Sequence, residues 1–174
     1  MRMQEKRMKN KDIMFFLWTI LLIAADQLTK WLAYVFLRGK GAVPVVRGVL
    51  ELLYLENNGA AFGILKHRQI LLALLAVLIS AAAFWFYHRM PASGKFLWLR
   101  ICCVMLCAGA LGNMIDRLVH RFVIDFIYVS LIDFPVFNLA DIFVCVSCAL
   151  FLILLVFVYK EEDLQGLKTK KTRE

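Results

Sequence analysis

Asn138-Leu-Ala-Asp-Ile-Phe-Val-Cys-Val-Ser-Cys-Ala-Leu-Phe-Leu-Ile-Leu-Leu-Val-Phe-Val-Tyr159 decides the fold. A helix needs about 20 mostly apolar residues to cross the hydrocarbon core of a bilayer. This stretch supplies them, and its one charge, Asp141, stands near its start. Working outward, three more segments have the same character: 13–36, 69–87 and 96–119. The fold expected is an all-α membrane protein of four transmembrane helices. Its outer loops cover 37–68 and 120–137, and its tails cover 1–12 and 160–174. The whole of 1–174 is expected to be one domain.

Composition agrees. Of the 174 residues, 62% are hydrophobic and the mean hydropathy is +0.73, against about 45–50% apolar usage in soluble domains. The formal charge of +8 does not point to nucleic acid, because the cations gather at the two ends and in one short loop, as topology signals do. The tails and the second loop with its flank hold thirteen of them: Arg2, Lys6, Arg7, Lys9, Lys11, Arg89, Lys95, Arg100, Lys160, Lys168, Lys170, Lys171 and Arg173. The first and third loops, with the flank of the third, hold seven: Arg38, Lys40, Arg47, Lys66, Arg68, Arg117 and Arg121. The positive-inside rule then puts both termini in the cytoplasm and both longer loops outside. The basic start followed by Ala24-Ala25 has the look of a secretory signal, but the apolar run continues to Phe36, so an uncleaved first span is expected. In the first loop, Val43-Pro-Val-Val46 and Val49-Leu-Glu-Leu-Leu-Tyr-Leu55 have strand composition, with Gly39, Gly41 and Gly48 as punctuation. A small β-rich cradle against the outer membrane face is expected there.

Polar groups collect toward the outer ends of the spans. Asp26 and Lys30 are four residues apart, so they share a helix face. They read either as a self-compensating anchor or as part of a site. Asn57-Asn58-Gly59 precedes the second span, offering amide donors and acceptors plus a glycine that lets backbone and ligand approach closely. In the third span, Gly109 and Gly112 permit tight helix packing, and Asn113, Asp116 and Arg117 line one face of its outer end. Asp116 is expected to be held ionised by Arg117 and Arg121 and to orient its neighbours.

Asp125 differs, because Val123, Ile124, Phe126 and Ile127 around it are all apolar. Desolvation there raises a carboxyl above its ordinary value of about 3.9. Asp141 follows Asn138 by three residues, the spacing of a helix cap. On physical grounds it reads as well as a capping residue as a catalyst. Two acids in so apolar a chain suggest a carboxyl dyad sharing one proton, the chemistry of aspartic proteolysis. Cys102, Cys103, Cys107, Cys145 and Cys148 lie in apolar helical stretches without metal-ligand spacing and read as small apolar helix residues rather than a disulfide framework or zinc site. Paired acids also serve proton relays, but a transport path needs a polar site near the midplane, and the second span is almost purely apolar.

Five blocks now stand in order: Asp26-Gln-Leu-Thr-Lys30, Asn57-Asn-Gly-Ala-Ala-Phe62, Gly109-Ala-Leu-Gly-Asn-Met-Ile-Asp-Arg117, Val123-Ile-Asp-Phe126 and Phe137-Asn-Leu-Ala-Asp141. With them the chain resembles, over nearly its whole length, the bacterial lipoprotein signal peptidases (signal peptidase II), aspartic endopeptidases of the cytoplasmic (inner) membrane. The resemblance implies that Asp125 and Asp141 are the catalytic dyad. It implies that Asp26, Lys30, Asn57, Asn113, Arg117 and Asn138 line or support the site, to which Gly59 and Asp116 are added from the residues themselves. It further implies prolipoprotein substrates cut just before a diacylglyceryl-modified cysteine, membrane lipid as the surroundings, no metal or cofactor, and inhibition by the cyclic peptide globomycin.

Overall fold

The structure is a computed structural model and describes residues 2–59, 68–160 and 162–163. The helices are α1 (Arg2–Leu37), α2 (Gln69–Arg89), α3 (Leu97–Val119) and α4 (Leu139–Phe157). Each contains a segment long and apolar enough to cross a membrane: Asn10–Leu37, Gln69–Arg89, Gly94–Val119 and Leu139–Phe157. Large apolar side chains such as Leu74, Leu78, Trp85, Leu152 and Val156 are exposed on them, which suits a surface facing lipid. The expected spans agree with these helices to within a few residues, except that α1 continues back to Arg2.

Helix α3 is the central one, packed against α1, α2 and α4. Its small residues make this possible. A β-carbon on Gly109 would lie 2.5 Å from the Ala140 carbonyl oxygen, and one on Gly112 would lie 2.6 Å from Asp26 Oδ2. Phe15, Tyr87, Met90, Phe96, Leu99 and Cys103 build a core at the end of the bundle away from the sheet. There the buried Lys11 ammonium donates to the carbonyls of Tyr87 (3.3 Å), His88 (2.7 Å) and Met90 (2.9 Å), satisfying the C-terminus of α2.

At the opposite end a three-stranded antiparallel sheet forms from β1 (Val43–Val46), β2 (Leu50–Asn57) and β3 (Val123–Tyr128), in that order. Gly48 takes a φ of 70° in the turn between β1 and β2, a conformation that favours glycine. The first two strands match the expected runs. The third lies in what was expected to be plain loop: Leu55 pairs with Asp125, and Asn57 with Val123. Strand β3 does not alternate because Val123, Ile124, Asp125 and Phe126 are all buried. Ala33 and Leu37 of α1 pack on Ile124 and Phe126, seating the sheet on the bundle. On the free side of β3, Phe137 bridges to Ile127 and its carbonyl accepts from the Ile127 amide at 2.8 Å. That bridge fixes the chain immediately before α4.

Candidate active site

Asparagine 138 begins α4 as its N-cap, and its geometry builds the site. Its side-chain oxygen accepts from the Asp141 amide (3.0 Å), while its own amide donates to Asp141 Oδ2 (3.1 Å), a reciprocal capping box. The cap reading of Asp141 is therefore right as geometry. It leaves the other oxygen, Oδ1, to accept from Asn113 Nδ2 at 2.8 Å. The Asn138 side-chain amide points to Asp125, donating to Oδ1 at 2.6 Å, and also reaches Asn113 Oδ1 at 3.1 Å. Asn57 Nδ2 donates to the second Asp125 oxygen at 2.8 Å. The helix start, strand β3, strand β2 and helix α3 thus deliver two carboxyls and three carboxamides to one place.

The environment of Asp125 shifts its acidity. Its relative exposure is 1%. Burial first, and then the nearby charge of Asp141, push its carboxyl up to about 7, against the pull of the Asn57 and Asn138 hydrogen bonds and the Lys30 charge. Asp141 is half-buried, so of the two acids it is the one more open to the surroundings.

Beside the two acids lies a buried ion cluster. Lys30 Nζ sits 2.8 Å from Asp26 Oδ2 and 3.1 Å from Asp116 Oδ2, and donates to Asn113 Oδ1 at 2.8 Å. Each acid of this cluster also ties down backbone. Asp26 Oδ1 accepts from the Ala140 amide in the first turn of α4 (2.9 Å), and Asp116 Oδ2 accepts from the Ile124 amide next to Asp125 (3.1 Å). One lysine therefore holds the two acids that hold the two elements carrying Asp141 and Asp125.

The model of the signal peptidase (SPase) II family matches residues 18–157. The chain belongs to the signal peptidase II family. The lipoprotein signal peptidase of Streptococcus pyogenes serotype M1 is 38% identical over 154 residues, covering 88% of this chain and 97% of that protein. Its counterpart in S. pyogenes serotype M5 (strain Manfredo) is 37% identical with the same coverage. A bacterial membrane enzyme solved by the in meso method at 2.3 Å superposes with a TM-score of 0.74 and 29% identity, covering 92% of this chain and 93% of that one. A second such structure, at 1.9 Å, gives a TM-score of 0.73 and 29% identity over 84% and 94%. As a member of the signal peptidase II family the chain is an aspartic-type peptidase and a multi-pass membrane protein.

Within this family member, the residues singled out from sequence come together. Asp26 and Lys30 form the expected ion pair, now as part of the three-residue cluster. Asn57, Asn113 and Asn138 touch the two acids directly. Gly59 is buried; its amide donates to Asn57 Oδ1 (2.9 Å) and its carbonyl accepts from Arg117 Nη2 (3.1 Å). Ala60, Ala61 and Phe62 of the same block, and Lys66, lie outside the described residues.

One expectation is corrected. Asp116 forms its ion pair with Lys30 of α1, not with Arg117 or Arg121. Arg117 instead bonds the carbonyls of Gly59 and Asn113, and Arg121 is exposed. Helix-neighbour spacing brought the arginines forward, whereas the cation comes from 86 positions away in the chain. Gln27 was given no role from sequence, yet its amide donates to Asp26 Oδ2 (3.2 Å), the Gly112 carbonyl (3.2 Å) and Asp116 Oδ1 (3.0 Å). A side-chain amide beside Asp26 in an apolar span was the available signal.

Proposed function

We propose that this chain removes signal peptides from membrane prolipoproteins, cutting just before a diacylglyceryl-modified cysteine, with Asp125 and Asp141 as the catalytic pair. One observation carries the choice of acids. Asp26 and Asp116 are ion-paired to Lys30, whereas Asp125 and Asp141 receive hydrogen bonds only from carboxamide and backbone N–H donors among the described residues. Acids left without a bonded cation and brought near each other can share a proton, and the two then titrate as one system.

The chemistry follows from that shared proton. The ionised carboxyl takes a proton from water as its oxygen attacks the scissile carbonyl, and the neutral carboxyl donates to the carbonyl oxygen as it becomes tetrahedral. Collapse breaks the C–N bond, the leaving amine receives a proton, and the pair returns to its starting state. Asn57, Asn113 and Asn138 aim the carboxyls. Lys30, Asp26, Asp116, Arg117 and Gly59 position the elements that carry them.

A substrate with a membrane-embedded signal helix and two acyl chains suits an enzyme whose helices face lipid. The cation distribution supports cytoplasmic termini, and with that orientation the sheet and the acids lie at the outer face of the bacterial cytoplasmic membrane. The whole chain, 1–174, acts as one peptidase domain, needs no cofactor, and is inhibited by globomycin-type cyclic peptides.

Cleavage of a diacylglyceryl-prolipoprotein by the purified chain tests this. Asp125→Asn and Asp141→Asn each lose roughly a thousandfold or more of turnover, while Asp116→Asn loses less. A folded Asp125→Asn or Asp141→Asn variant that turns over near the parent rate excludes the assignment.

A further inference from the structure

Helix α2 begins at Gln69, directly after Arg68. No side chain caps its N-terminus at Arg68, and its first turn holds no acid. First-turn N–H groups and the helix dipole favour negative charge. The three residues of that turn, Gln69, Ile70 and Leu71, line a cavity of about 510 Å³ together with Asn58, Arg68 and Arg121. Among the described residues, two arginines and no acid line it.

Two further observations point to an occupant. Gln69 is more than nine-tenths buried; its Nε2 donates to the Asn58 carbonyl at 2.7 Å, but its Oε1 has no hydrogen-bond partner among the described residues. The phosphodiester of a lipid has no O–H or N–H of its own to give that acceptor, so the donor must come from the rest of the headgroup. Arg121 adopts a φ of 69°, where a glycine would sit without strain. An arginine rather than a glycine at that strained position, on the lining of the cavity, calls for a use. Arg68 immediately precedes the candidate span Gln69–Arg89, and Arg121 closely follows the candidate span Gly94–Val119; cations just outside a span are the ones that meet lipid headgroups.

We infer that this cavity binds the headgroup of a phospholipid in the leaflet on the sheet side, through phosphate to Arg68, Arg121 and the α2 amides and through a headgroup N–H or O–H to Gln69 Oε1. Ethanolamine and glycerol headgroups carry such a donor. Choline does not.

Native mass spectrometry of the full purified chain tests the inference, with phosphatidylethanolamine, phosphatidylglycerol or phosphatidylcholine of matched acyl chains added and then washed by detergent exchange. The expected result is retention of the first two at least about tenfold above the choline lipid. Arg121→Gly lowers retention about tenfold without lowering the unfolding midpoint, since glycine relieves the positive φ. Arg68→Gln lowers it similarly. Equal retention of the choline lipid, or unchanged retention in Arg121→Gly, overturns the proposal. Displacement of the lipid by millimolar inorganic phosphate also overturns it, by making free phosphate the ligand. None of these measurements uses peptidase activity.

Discussion

Asn138 donates to Asp125 across a 2.6 Å hydrogen bond from the same residue that caps the helix carrying Asp141. Local helix-start chemistry and the long-range placement of the second acid are thereby joined in one side chain. The two roles can be separated. Asn138→Ser keeps a capping oxygen but is too short to hold Asp125, whereas Asn138→Ala loses both. The serine variant should stay within a few tenths of a kcal/mol of the parent in cap stability and the alanine variant fall by about 1 kcal/mol. Both should lose tenfold or more in turnover. Parent-level cleavage by Asn138→Ser would mean that the bond to Asp125 does not matter to catalysis.

Lys30 is the cation of a buried cluster with two acids, so its removal leaves uncompensated charge in a dry environment. Lys30→Met should lower stability by about 3–5 kcal/mol. The combined Asp26→Asn/Lys30→Met/Asp116→Asn variant should recover part of that loss by removing the orphaned charges. Thermal unfolding in detergent micelles reads both. If Lys30→Met unfolds at the parent temperature, the cluster contributes no net stability.

How much of this was readable in the sequence depends on the range of each interaction. The four spans were legible because hydrocarbon thickness sets their length, and the Asn138–Asp141 cap and the Asp26–Lys30 pair were legible because both are local. Strand β3 was not. Burial on both faces erases the alternation that marks a half-buried strand, and its partner β2 is distant in the chain. For the same reason Asp116 invited Arg117 and Arg121 as partners while its true partner lies on another helix. The assembly of Asp125 with Asp141 is also long-range; two acids in an apolar chain suggested the dyad, and the resemblance in the five blocks is what favoured Asp141 as catalyst over cap.

Gly112 tests the packing between α1, α3 and α4. A β-carbon there would come within 2.6 Å of Asp26 Oδ2, displacing the carboxyl whose other oxygen holds the Ala140 amide. Gly112→Ala should cost about 1–3 kcal/mol and reduce turnover through a shifted α4 start. Gly41→Ala serves as the control, since nothing lies within 4 Å of its added methyl. Equal unfolding midpoints for the two variants would show that α3 yields at Gly112 without strain.

Asp125 sets a pH dependence whose sign follows from its shift. Its carboxyl moves from 3.8 up to about 7 in the folded chain, chiefly through burial and then through Asp141. An acid raised in the native state keeps its proton while the unfolded chain has already ionised. Its contribution to stability therefore declines as pH climbs from about 4 to about 7 and is level above that. The mechanism proposed above needs one proton on the pair, so under it turnover should fall as pH rises through about 7. Unfolding midpoints and cleavage rates across that range check both statements. Asp125→Asn should flatten this part of the stability profile. An alkaline limb absent from the parent enzyme's turnover would show that the shared proton is not required.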